Sequence, residues 1–278
     1  MPLTQVYGFV GWALKNNPTR VLDMSTIHPI MDYEFVAVYE EKSVYDNVLS
    51  SSYLTVVNSG SGCEISVASG VKLSGKITLP ANINGKDVIA IRNNGFLNQS
   101  DITHIFWSNG TENKVAKIGE AAFNQCIKLV YYEMSNSVTS INIGNASFRY
   151  TRILENLDEY QMKQFFEKVT AIQRNAFSMD YDIVSPLTTL YLPSGLKTLE
   201  DVAFVNYRNL SQVIIGSSGN PIQLTSIGQG PFNGSGINVD QLKITYYYKA
   251  GNPLSPDMIS NLKYQVAAKS VVVEGITA

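Results

Sequence analysis

The chain has 278 residues, 45% of them apolar and 16% charged, with a formal net charge of −2. That composition suits a folded chain with a core and excludes both the basic footprint of a nucleic-acid binder and the bias of a disordered segment. Apolar runs stay well short of the roughly 18 residues a bilayer span needs, so neither nucleic acid nor membrane insertion is expected.

Residues 1–44 carry no repeat. The opening MPLTQVYGFVGWALK lacks the charged start and long apolar stretch of a secretory signal. Apolar stretches at Tyr7 to Leu14 and Val21 to Ile27 flank a polar turn, and Tyr33 to Lys42 alternates so that Phe35, Ala37 and Tyr39 share one face of a strand. The order Phe9-Val10-Gly11-Trp12, a turn, then the alternating strand resembles the second half of an internalin-type B-repeat, a small β-grasp module of bacterial surface and phage proteins. The resemblance implies a partial module whose missing strands leave an edge with unpaired backbone groups. Trp12, Phe35 and Tyr39 are then the candidates for docking on a partner chain or on the adjoining end of the rest of this chain.

Ser43 to Gly62 is polar and Ser-rich, with a strand at Tyr53 to Val57 placed to cover the first turn of an array. Ile77 to Pro80 reads as the first strand of the main sheet. From Ile91 onward one pattern, Ile or Leu, four residues, then Phe, returns six times: IRNNGF, IGEAAF, IGNASF, IQRNAF, LEDVAF and IGQGPF, ending at Phe232. Its spacing of 25 to 29 residues is the signature of a solenoid, in which each coil buries its apolar side only by stacking on its neighbours.

Six residues after the Phe most coils carry Leu-x-x-apolar-x-apolar, clearest at Leu187 to Leu192. The last two apolar positions point inward and the residue between them outward, which predicts one parallel strand per coil. Val115, Val138, Val169, Leu196 and Leu224 are expected inside as well, and the six Phe residues form a spine. The outward row is then Thr78, Phe106, Glu133, Tyr191, Ile214 and Lys243, beside a second row of His104, Tyr131, Thr189 and Gln212. Large apolar or aromatic residues on a solvent-facing sheet suit recognition. Phe106, Tyr131 and Tyr191 lead as ligand-binding candidates, joined by His104, Glu133 and Ile214; the competing reading is simple cross-strand packing.

Arg149 to Thr170 breaks the pattern. Met162, Phe165, Phe166 and Val169 follow helical spacing with Asp158 as N-cap. Glu155, Asp158 and Glu159 near that helix start are expected to serve its dipole rather than a metal. After Phe232 come a Tyr-rich strand at Gln241 to Lys249, a helix opened by Ser255-Pro256-Asp257, and a strand at Ser270 to Gly275, which together read as a cap.

The motifs of Leu187-TTLYLPSGLKTLEDVAF and Ile118-GEAAFNQC-Cys126 resemble the BspA-like leucine-rich repeat. The resemblance implies a β-rich, mixed α/β leucine-rich-repeat solenoid of about six coils with a parallel sheet. The expected domains are a β-grasp-like module at 1–44, the solenoid at 45–249 and a helix-strand cap at 250–278. It also implies a non-catalytic binding or adhesion role toward a protein or glycan, extracellular, on a bacterial surface or a phage particle. A virion fibre, spike or decoration protein docked through its N-terminal module is the alternative, with a glycan-active enzyme third, and a homo-oligomer is possible. The two histidines, His28 and His104, fall in different modules, and no HExxH, GxSxG, Walker loop or CxxC is present. No catalytic residue, cofactor or metal is expected, and Cys63 and Cys126 read as buried free thiols.

Overall fold

The computed structural model describes residues 47–278 in full and, before them, the backbone of three strands: β1 (Tyr7–Leu14), β2 (Asn17–Leu22) and β3 (Phe35–Glu41). These three pair antiparallel in the order β2-β1-β3, with a bulge between Phe9 and Gly11. Trp12, Phe35 and Tyr39 sit at defined register positions, Trp12 opposite both Leu22 and Ala37; their side chains lie outside the described residues. The chain divides into two compact units, Met1–Asn47 and Val48–Ala278.

The second unit is a solenoid in which most coils give a strand to each of two sides. One side is a single sheet of β4 (Leu54–Ser59), β5 (Gly62–Val67), β7 (Asn82–Ile83), β8 (Lys86–Ile91), β10 (Lys117–Ile118), β12 (Ile141–Ile143), β13 (Val169–Ile172), β15 (Thr198–Leu199) and β17 (Ser226–Ile227). Its order is β17-β15-β13-β12-β10-β8-β5-β4, with β7 paired to β8. The other side holds β6 (Ser74–Leu79), β9 (Asp101–Trp107) and β11 (Tyr131–Tyr132) in one sheet. It continues as β14 (Thr189–Leu192), β16 (Gln212–Ile215), β18 (Gln241–Tyr248) and β19 (Ser270–Thr277) in a second. Helix α1 (Glu159–Phe166) stands in the coil between them. The solenoid thus has about eight turns: the six with the Ile/Leu-to-Phe pattern plus one at each end.

The two-sided coil differs from the single strand expected. The repeating Ile or Leu is itself in a strand, only two to six residues long, because its neighbours above and below supply the backbone partners that so short a segment cannot supply for itself. Ile91, Ile118, Ile143, Ile172, Leu199 and Ile227 are aligned across this ladder and all are buried. In the third coil the register shifts between Ile141 and Asn142, which puts Ile141 opposite Val169. Ile141, not Val138, therefore fills the inward place there, and Val138 is only half-buried.

The Phe spine is a column of rings. Phe96, Phe123, Phe148, Phe177, Phe204 and Phe232 stack in turn at centroid distances of 5.2, 5.3, 5.4, 5.2 and 5.9 Å. The first five are held by a backbone bond to the next coil: Phe96 N–H to Ala122, Phe123 to Ser147, Phe148 to Ala176, Phe177 to Ala203 and Phe204 to Pro231. In three coils the side chain three residues past the Phe reaches back to the preceding coil's Phe carbonyl: Cys126 Sγ to Phe96 at 3.1 Å, Tyr207 Oη to Phe177 at 2.8 Å, Ser235 Oγ to Phe204 at 2.9 Å. Cys63 and Cys126 are both free and buried. Burial pushes the Cys126 thiol up to about 12, so it acts as a donor and not as a nucleophile.

Helix α1 replaces a strand. Asp158 closes a capping box with Gln161, and Met162, Phe165 and Phe166 turn into the core; Val169 belongs to β13 instead. Among the described residues the exchange leaves β14 with no strand on that side, and its Tyr191 N–H is met by the Met162 thioether at 3.2 Å. At the far end α2 (Pro256–Lys263), N-capped by Ser255, covers the last of the short strands: Asn261 Nδ2 donates to Ile227 C=O at 2.8 Å. At the near end β4 pairs antiparallel with β5 and closes the array.

Candidate functional site

The outward rows run along the longer strands in the register expected. Ile77, Leu79, Ile105, Trp107 and Tyr132 are inside, while Thr78 pairs with Phe106, Lys76 with His104, and His104 with Tyr131. In the second sheet Thr189 pairs with Gln212 and Tyr191 with Ile214. One extension of the row is corrected: Ile214 pairs with Thr245 and Gln212 with Lys243, so Lys243 lies in the second row. Ile244 and Tyr246 face the core, and that parity turns Thr245 outward.

In the first sheet the His104, Phe106 and Tyr131 rings form a triangle. Centroids are 6.0 Å apart for His104 to Phe106, 6.0 Å for His104 to Tyr131 and 5.1 Å for Phe106 to Tyr131, which is the geometry of same-face neighbours on adjacent strands. His104 and Tyr131 are half-buried, but Phe106 is only 8% exposed and Glu133 only 5%, against the solvent-facing row anticipated. Phe106 is flanked by the other two rings. Glu133 turns its carboxylate onto the backbone, where Oε2 accepts Trp107 N–H at 2.8 Å beside the turn at Gly110. An outward Cβ does not guarantee an exposed side chain when a charge can satisfy a strand-end donor.

In the second sheet Tyr191 meets α1. Its hydroxyl bonds to Glu159 Oε2 at 3.0 Å, and Lys163 Nζ lies 5.3 Å from its ring centroid while pairing with Glu159 at 2.5 Å. Glu159 is held below the usual carboxylate range, chiefly by the Lys163 hydrogen bond. The Tyr191 phenol is raised, first by burial and then by Glu159. Glu159 and Lys163 were not among the site candidates; their i, i+4 spacing was the available signal. The three acidic residues of this region do not converge: Glu155 pairs with Arg152 at 2.6 Å, Asp158 caps the helix and Glu159 serves Tyr191. Ile214 is half-buried beside Tyr191. The face therefore has two aromatic stations, one at His104, Phe106 and Tyr131 and one at Tyr191, on sheets separated in the sequence of coils by α1.

Burial, and then the Lys76 ammonium, lower the His104 pKa. Above the ordinary imidazole range both folded and unfolded chains keep it neutral. As pH falls below that range the unfolded chain takes the proton first, so stability declines. NMR titration should give His104 a lower midpoint than a free imidazole, and Lys76→Gln should raise it. A midpoint unmoved by Lys76→Gln removes the charge effect.

Among the described residues no group of three His, Cys, Asp or Glu is placed to hold a metal ion, and no helix is long and apolar enough to cross a membrane. A comparison with curated proteins finds no match. Among solved structures, a leucine-rich-repeat protein of T. pallidum is similar at 20% identity, covering 67% of this chain and 88% of that one, with a TM-score of 0.43. A leucine-rich cell surface protein of Faecalibacterium prausnitzii is similar at 13% identity, covering 81% and 94%, with a TM-score of 0.26. The family model of the BspA type leucine rich repeat region matches in six copies, over residues 72–184 and 142–248. With well over half its length matched, and with the stacked coils that match describes, the chain belongs to the BspA-type leucine-rich-repeat family.

Proposed function

We propose that this chain is a non-catalytic binding protein that presents the outward face of its longer strands to a protein or glycan at a bacterial surface. The observation that carries this reading is the fixed spacing of outward aromatic side chains: His104, Phe106 and Tyr131 within 6.0 Å of one another, and Tyr191 held by Glu159 and Lys163. A ligand stacking on the half-buried His104, Tyr131 and Tyr191 rings, with Phe106 buried behind them as a support, meets side chains already ordered, which lowers the entropic cost of binding. The family supports a repeat surface used for contact. A thermal-shift screen against purified oligosaccharides and extracellular proteins tests it. A true ligand raises Tm in step with the logarithm of its concentration. Tyr131→Ala with Tyr191→Ala should abolish that rise without unfolding the chain, and a shift that survives both substitutions places the binding elsewhere.

The first unit supports a second, compatible reading. Its three antiparallel strands form a separate compact unit, which we read as the partial internalin-type B-repeat that docks the solenoid on another chain, in a virion or at a cell surface, with Trp12, Phe35 and Tyr39 as docking residues. Deleting residues 1–47 should leave the solenoid folded and abolish that attachment; equal partner binding by both forms ends the idea.

A further inference from the structure

We infer that β19 is a homodimer interface, through which two copies of the chain join their four-stranded sheets edge to edge. Among the described residues β18 is its only strand partner. Ser270 N–H donates to Asp240 and Ala278 N–H to Tyr248, so the even-numbered residues of this parallel ladder face β18. Val271, Val273, Gly275 and Thr277 consequently direct both backbone groups away from it. The other end of this side of the solenoid is treated differently: Val48 bridges Thr78 on β6, and Leu49 N–H donates to Thr78 C=O at 2.7 Å.

The usual guards against strand addition are missing from β19. SVVVEGIT has no Pro, no Lys and no register shift against β18. Its outward Val272 and Ile276 are 40% and 36% exposed. The single charge, Glu274, is already paired with Lys243 at 2.6 Å.

A second copy fits this edge because the strand is compatible with itself. With a two-fold axis at Val273, an antiparallel pair sets Val273 against the other copy's Val273 and Val271 against the other copy's Gly275, all residues whose backbone groups point to the edge. Glu274 then faces Val272 of the other copy and not its own counterpart, so no like charges are directly opposed. The isologous pair makes one sheet running from β14 to β14 and places two Tyr191 stations on one surface.

Sedimentation of the full chain from about 1 to 100 µM tests this. The expected result is a species of twice the 30.6 kDa chain mass. Val273→Pro removes an edge-facing N–H that β18 does not use, and should give a monomer with unchanged circular dichroism. Ile276→Lys, which restores a guard without touching the backbone, should weaken dimerisation at least about tenfold; it keeps the test alive if the proline variant misfolds. Val56→Lys, on the outer strand β4 of the other sheet, should change nothing. A wild-type monomer throughout the range overturns the proposal. So does a dimer that survives Ile276→Lys, or one that is split instead by Val56→Lys or by deletion of residues 1–47.

Discussion

Replacing Phe177 by Ala is expected to remove about 3 to 5 kcal/mol of stability. Phe177 is fully enclosed, stacked 5.4 Å from Phe148 and 5.2 Å from Phe204, and met edge-on by Phe166 at 5.6 Å and Phe165 at 6.2 Å. Four aromatic neighbours set the size of the cavity, and a solenoid core one coil wide has few side chains free to refill it. Position adds to the effect. A repeat array holds together by interfaces between adjacent coils, and Phe177 lies at a middle interface, so weakening it should let the two halves unfold separately. Urea denaturation followed by tryptophan fluorescence in a Trp12→Phe background, which leaves Trp107 in the earlier coils as the only indole, and by circular dichroism over the whole chain should then give different midpoints. Phe96→Ala, with one stacked Phe neighbour, should cost less and leave the midpoints together. A Phe177→Ala loss under about 1 kcal/mol would mean that the coils are independently stable.

The column itself was legible because a Phe that recurs with an Ile or Leu five residues before it has no other cheap use in a chain of this period. So were Asp158 and Ser255 as helix caps, since short side-chain acceptors before an apolar helical stripe have a local physical reason. What escaped notice rests on contacts between coils. Two residues before each Phe the backbone is left-handed, at Asn94, Ala121, Ala146, Asn175, Val202 and Gly230, with φ between 48° and 58°. No single residue type marks that place, and for Ala146 or the β-branched Val202 the conformation is intrinsically unfavourable. The stack imposes it: the N–H of that residue bonds to the next coil at Glu120, Asn145, Arg174, Asp201 and Gln229 in turn for the first five. The outward rows were legible in direction, because strand parity is local, but not in exposure. Whether Glu133 meets solvent depends on Trp107 N–H, 26 residues away in the chain.

Gly144→Ala is expected to destabilise by about 1 to 3 kcal/mol although it adds only a methyl group. A Cβ there would stand 2.6 Å from Ile118 C=O, 2.8 Å from the Gly119 carbonyl carbon and 3.0 Å from Glu120 N, all backbone atoms of the coil before. Gly119 meets Arg92 and Asn93 in the same way, and Gly228 meets Glu200 and Asp201. The closeness has a chemical return. One residue further on in four of the coils, the backbone N–H is met by a side chain of an adjacent one: Glu120 by Asn93 Oδ1 at 3.0 Å, Asn145 by Gln173 Oε1 at 3.0 Å, Arg174 by Glu200 Oε2 at 3.0 Å and Gln229 by Asp201 Oδ1 at 2.7 Å. Pushing one coil outward by a methyl group lengthens such a bond along with the ladder bonds beside it, Gly144 N–H to Ile118 C=O at 2.8 Å among them. Gly195→Ala is the control, since nothing lies within 4 Å of a Cβ there and its backbone is not left-handed; it should be neutral or stabilising by a few tenths of a kcal/mol. Thermal melts of the two variants decide between backbone spacing and glycine flexibility as the reason for the IG pairs. Equal melting temperatures would mean that the coils can spread at no cost, and that the face they carry is less rigid than recognition by ordered rings requires.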